Sequence, residues 1–375
     1  MKAPDRLTVG AWGLALALGG AGGWLFTKIG TPLPWMLGAI FFNLAAAMAG
    51  LRPKVPNPLR LGMVAVLGVM LGSAFTPDIV DHLGDWVVSM AGLFVYVIVA
   101  TSAVILFFRR VVKFGPVTSY FSAAPGGLTE MIMVGTAMGG DERAISLVHS
   151  IRILITVFTL PFLYQLFVGY ERPEGGLPPA DAFLTGTDLG LLAASAILGA
   201  GVARLFHLPA FFLTGPMLGS AVVHLAELTA AHPPPVVVAV AQVVIGASIG
   251  SRFVGVPLKS MRDTFFAALG STSIILVVAA VFSVAVQAMT GIPFSSLILA
   301  FSPGGVAEMS LIAISLGRDV AFVSTHHLVR IMLVVMMAPL VFSLLRNALA
   351  PPGTPEAPGG GSGAGGGGEG SGGRA

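Results

Sequence analysis

Two stretches of an otherwise apolar chain carry groups able to bind ions or move protons: "SAAPGGLTEM" at 122–131 and "AFSPGGVAEM" at 300–309. Each sets a helix-breaking tripeptide ahead of a lone acid, Pro125, Gly126 and Gly127 before Glu130, and Pro303, Gly304 and Gly305 before Glu308. Farther on come Asp141, His149 and Arg152, and again Asp319, His327 and Arg330. The i,i+3 spacing of each His–Arg pair puts the two on one helix face. A glutamate in such surroundings suits a cation or a proton, whereas paired Arg and His suit an anionic or zwitterionic solute. An ionisable group inside a membrane is costly and is by default a functional candidate.

These groups belong to a repeat. Shifting the sequence by 178 residues superposes all seven of them, and thirteen of the 37 positions from Pro125 to Pro161 are identical to their counterparts. "LGVMLGSAF" (67–75) meets "IGASIGSRF" (245–253) at the same shift. "WMLGA" (35–39) meets "PMLGS" (216–220) at a shift three residues larger, which predicts a shorter following loop in the second half. The expected organisation is a first membrane repeat at 1–170, a linker at 171–183, a second repeat at 184–350 and a disordered Gly/Pro-rich tail at 351–375.

Composition sets the class. Of 375 residues, 55% are apolar and 10% charged, against roughly 25% charged in soluble domains. Apolar runs long enough to cross a bilayer recur up to about Asn347, so the chain reads as an all-α polytopic membrane protein. With no cysteine, disulfides, thiolate metal sites and cysteine catalysis drop out. The few basic residues form no cluster suited to nucleic acid, and they act instead as topology signals.

Each half offers six apolar segments, near 7–27, 33–50, 59–76, 86–108, 116–138 and 144–169 in the first. The basic residues change sides between the halves. Arg52, Lys54 and Arg60 follow the second segment, where the other half has "TAAHPPPV"; Asp78, Asp81 and Asp85 follow the third, where the other half has Arg252, Lys259 and Arg262. Opposite orientation requires an odd number of crossings per half. We therefore expect two inverted repeats, each of about five transmembrane helices plus one Pro-Gly-Gly-interrupted segment, re-entrant or broken, with both termini cytoplasmic.

A broken helix frees backbone groups that lipid cannot satisfy, so the break should be packed in protein or line a wet cavity. The two breaks are expected near the midplane, with Glu130 and Glu308 on the wall of a polar cavity and Arg152 and Arg330, too costly to face lipid, turned inward to pair with them. Structural readings stand beside this one. A buried Glu–Arg pair also serves as a clamp between repeats, the histidines as packing groups, and Asp141 and Asp319 as helix N-caps.

The duplicated unit with "PGGLTEM"/"PGGVAEM" and "HSIR"/"HLVR" resembles the AbrB family of bacterial inner-membrane proteins over nearly everything before the tail. That family is distinct from the soluble DNA-binding regulator of the same name. The resemblance implies a bacterial inner-membrane location and a fold similar to cation/proton antiporters and anion transporters, and it brings no catalytic residue set. Members are labelled as regulators of gene expression or as ammonia monooxygenases. The expected function is a secondary transporter of a small solute, coupled to a proton or cation. The alternative is a membrane-embedded regulator acting indirectly. A monooxygenase would need copper or iron ligands, and the chain has no His-x-x-His or His-x-x-x-His pair. No catalytic residue, metal or cofactor is assigned. The expected partners are the lipid bilayer and the solute, with no direct nucleic acid and with homo-oligomerisation left open.

Overall fold

Proline and glycine mark where helices begin and stop along this chain. The computed structural model describes residues 6–77, 79–168 and 185–349. The expected linker at 171–183 and tail at 351–375 lie outside the described residues. All regular structure among those described is helical: α1 (Arg6–Ile29), α2 (Pro34–Met48), α3 (Asn57–Gly72), α4 (Ile79–Phe107, ending in a π-turn), α5 (Pro116–Ala123), α6 (Leu128–Ala137) and α7 (Glu142–Val168). After the linker follow α8 (Gly186–Leu205), α9 (Phe211–Leu225), α10 (Pro235–Gly250, ending in a 3-10 turn), α11 (Leu258–Thr290), α12 (Phe294–Phe301), α13 (Val306–Ser315) and α14 (Val320–Leu349). Prolines occupy the first turn of α2, α3, α5 and α10, where the missing N–H costs nothing. The fifth apolar segment of each half is broken at Pro-Gly-Gly, between α5 and α6 and between α12 and α13.

The helices sort into two packing groups. In one, α1 packs on α2 and α8 on α9, while α3 lies against α9 and α10 against α2. In the other, α4 and α11 pack together and the broken segments lie against α7 and α14. A small cluster of Ala47, Ile151, Phe253 and Ala268 ties the groups to each other.

The first group is held at backbone contact. A Cβ on Gly38 would stand 2.2 Å from the carbonyl oxygen of Gly22, and one on Gly215 would stand 2.3 Å from that of Gly199. Helices approach this closely only through glycine. These pairs correct one expectation. Gly38 corresponds to Gly215, not Gly219, and left-handed caps precede both helices, at Leu33 and Ala210. The offset here is therefore 177, and the following loop (226–234, against 49–56) is longer in the second half, not shorter. The sequence match had slipped by four residues, about one helical turn, which keeps a small residue on the same face.

Among the described residues seven helices are long and apolar enough to cross a bilayer: within α1, α4, α7, α8, α10, α11 and α14. Their outer faces expose Val95 and Ile98 of α4, Ile197 and Leu198 of α8, and Val277 and Val281 of α11, side chains suited to lipid. The helices α2, α3 and α9 have 15 or 16 residues, short of the ~20 a full crossing takes, so length alone does not supply five crossings per half.

Gly38→Ala should lower the melting point of the detergent-purified protein, since overpacking costs about 1–3 kcal/mol. Gly20→Ala, where an added Cβ meets nothing within 4 Å, should be neutral or stabilise by about 0.5–1 kcal/mol as in any helix interior. Equal melting points for the two variants would contradict the α1–α2 contact.

Candidate functional site

The interruption follows from the backbone chemistry of three residues. Ala124 N–H still bonds Tyr120 O at 3.1 Å, but Pro125 has no N–H to continue the helix. Gly127 then takes an extended conformation (φ −64°, ψ 133°) and α6 begins at Leu128. The second half does the same, with Gly305 extended (φ −77°, ψ 156°) before Val306. Neither new helix has a side-chain N-cap.

What the break frees is recovered from the helix that follows. His149 Nε2 bonds Phe121 O at 2.8 Å and His327 Nε2 bonds Leu299 O at 2.9 Å, acceptors that correspond at the 178 shift. Arg152 donates to Ser122 O. Arg330 donates to Ser302 O and Gly304 O, each at 2.6 Å. Apart from Gly304 O, which lies in the loop just before α13, these carbonyls sit at the C-terminal ends of α5 and α12, the negative ends of the helix dipoles, where a cation is favoured. All four side chains are buried, Arg330 to 1% exposure.

The geometry also sets a tautomer. A carbonyl only accepts, so Nε2 of His327 carries the hydrogen; Nδ1, 2.9 Å from Arg330 Nη2, must then be the acceptor, because arginine only donates. His327 is a neutral link between the backbone and the guanidinium.

The arginines therefore do not meet the glutamates. Among the described residues the only ion pair is Arg262–Asp263, on the surface, and the expected Glu–Arg pairs are replaced by Arg–carbonyl bonds. The reason is proximity: each glutamate folds back over its own loop. A Cβ on Gly127 would lie 2.1 Å from Glu130 Oε2, and one on Gly305 would lie 2.0 Å from Glu308 Oε2. The glycines make room for carboxylates that are partly exposed, sitting in the first turns of α6 and α13 where negative charge suits the dipole. The break in the first half also touches the second: a Cβ on Gly126 would meet Val334 of α14 at 2.8 Å.

Asp141 and Asp319 stand apart from this cluster. Both are exposed, and each accepts a bond from the backbone N–H three residues on, Ala144 at 3.0 Å and Phe322 at 2.9 Å, which makes them N-caps of α7 and α14. Among the described residues no three His, Asp or Glu side chains gather as a metal would require. His326 is engaged with Phe322 O and Ser89 Oγ. Sequence reasoning missed Tyr96, which is buried against Phe282 of α11 and stacked on Phe301 of α12. Its counterpart at the 178 shift is Ile274, so the repeat gave no signal for it.

Known proteins share this arrangement of sequence. The family model described as "Transition state regulatory protein AbrB" matches residues 35–346. The chain is 28% identical over 383 residues to "Uncharacterized protein YhjN" of Bacillus subtilis (strain 168), covering 92% of this chain and 96% of that one. It is 24% identical over 323 residues to "Putative regulator AbrB" of Escherichia coli (strain K12), covering 84% and 91% respectively.

His149→Leu and His327→Leu should each destabilise the purified protein by about 1–3 kcal/mol, the cost of a buried carbonyl left without its donor. His→Gln at either position, which keeps a donor, should recover part of the loss in a thermal melt. If the Leu variants melt with the wild type, these bonds do not support the breaks.

Proposed function

This chain belongs to the AbrB family, and on that premise we propose that it is an inner-membrane secondary transporter whose solute passes the site at its two broken helices. The repeats, 1–170 and 184–350, would lie in opposite orientations with both termini cytoplasmic. One observation carries the reading: a site of the same construction occurs twice, with His149 on Phe121 and His327 on Leu299, and with Glu130 over Gly127 and Glu308 over Gly305. A structural kink needs neither a partly exposed carboxylate nor a second copy of it. Glu130 and Glu308, in no ion pair among the described residues, are the groups that would take up a proton or cation as the solute moves.

A second reading draws on "regulatory protein" and "regulator" in the family's description and the Escherichia coli relative's name. Here such a role would be indirect, through the solute moved or through a partner protein.

Orientation is tested by single cysteines on this cysteine-free chain. Arg52→Cys and Lys259→Cys should be protected from an impermeant thiol reagent in intact cells, and Asp85→Cys should react. Labelling of Lys259→Cys from the same side as Asp85→Cys would rule out inverted repeats. Transport is tested in proteoliposomes with whichever solute raises the melting point. Glu130→Gln should fold and melt within about 1 kcal/mol of wild type, as no ion pair is lost among the described residues, and Glu308→Gln, which gives up an electrostatic attraction to Arg252, should melt slightly lower; both should lose coupled uptake. Gly127→Ala, which pushes the carboxylate from its seat, should behave as Glu130→Gln does. Full uptake by both Gln variants would make the glutamates structural.

A further inference from the structure

Several buried polar atoms beside the breaks are not used by the bonds described above. Tyr96 of α4 is fully buried, stacked on Phe301 at 5.4 Å and edge-on to Phe282 at 5.9 Å, yet its hydroxyl has no hydrogen-bond partner. Arg152 keeps Nε and Nη1 unpartnered and Arg330 keeps Nε unpartnered. Tyr96 stacks on Phe301, the neighbour of the Ser302 whose carbonyl Arg330 holds, and electrostatic interaction couples it to both guanidiniums and these to each other. The three side chains come from α4, α7 and α14, so the cluster bridges the two halves.

The electrostatics of this cluster are incomplete. Carbonyl oxygens occupy some of the arginine donors, but they cannot neutralise two buried positive charges. A buried cation without a counter-charge is strongly destabilising, and no carboxylate lies within ion-pair distance of either arginine among the described residues. One kind of group answers both deficits, an acceptor that carries negative charge. The planar guanidinium fork matches oxygens on one carbon or one phosphorus better than it matches a spherical ion.

We propose that Arg152, Arg330 and Tyr96 form a binding site for a small oxyanion of the carboxylate or phosphate class, held between the two guanidiniums with the phenol hydroxyl as a further donor. This rests on the transport reading only in identifying the oxyanion with the solute. The site is asymmetric. Its arginines come from the repeat, while the position that corresponds to Tyr96 in the other half holds Ile274. A duplicated cradle is thereby given one ligand orientation.

The experiment uses the full chain in detergent, with thermal melts and calorimetric titration in sodium acetate, sodium phosphate or sodium chloride against a bulky sulfonate background at equal ionic strength. Acetate or phosphate should raise the melting point saturably, and which of them does so assigns the class; chloride should not. Tyr96→Phe loses a hydroxyl that has no partner and keeps the ring stack, so its melting point without anion should equal wild type while its oxyanion affinity falls by roughly tenfold. Arg152→Met should abolish the saturable shift. The proposal is overturned if no oxyanion shifts the melt, if chloride does as well as both, or if Tyr96→Phe binds as the wild type does. Oxyanion binding without uptake into proteoliposomes would leave this site standing and remove the transport reading. Solute uptake unaffected by Tyr96→Phe and Arg152→Met would do the reverse.

Discussion

A helix interrupted inside an apolar protein leaves carbonyls without amides, and nearly everything distinctive about this molecule answers that shortage. Lipid has nothing to offer these groups, and an unsatisfied one costs several kcal/mol. The chain answers with donors from the long helix that follows each broken segment, α7 or α14. His149 and Arg152 turn back onto α5, and His327 and Arg330 onto α12. Arginine is suited to the task because one guanidinium reaches two carbonyls at once, as Arg330 does with Ser302 and Gly304. Burying it brings a second problem, since hydrogen bonds satisfy only some of its donors and leave its charge uncompensated.

That division separates the two ends of each break. The C-terminal ends of α5 and α12 are closed by side chains packed in the core. The N-terminal ends of α6 and α13 keep uncapped amides, each with a glutamate in its first turn. Cations thus gather where the first half-helix stops and carboxylates where the second starts, each on the side its dipole favours. The glycines allow this. At Gly127 and Gly305 the carboxylate occupies the space a side chain would take, so the loop and its acid form one unit.

Much of this was legible in the sequence, and what was missed has identifiable causes. Proline followed by two glycines has a single local meaning in an apolar run, so both breaks could be located to the residue. The recurrence of His and Arg at one offset announced that they act together. Their acceptors could not be read, because a backbone carbonyl has no letter of its own, and the glutamates were the only visible candidates. The register of α2 against α9 was misread because small residues recur every turn, and a slip of four preserves the pattern. Tyr96 went unseen because it has no twin in the other half. Helix length was not legible either: α2, α3 and α9 are apolar throughout, yet they are short and pack against neighbours through glycine.

The bonds that close the breaks also impose an order on how the protein is made. In the first half the acceptors Phe121 and Ser122 precede their donors by 28 and 30 residues, and in the second half Leu299 precedes His327 by 28. At ribosomal rates of ~5–20 residues per second, the gap lasts roughly one to six seconds. During that interval α5 and α12 are present without the groups that satisfy their ends, and neither can be released into lipid as a finished unit. Each interrupted segment must wait in a protein or aqueous shelter until α7 or α14 has emerged. In each half three helices, α5 to α7 or α12 to α14, are therefore complete only together.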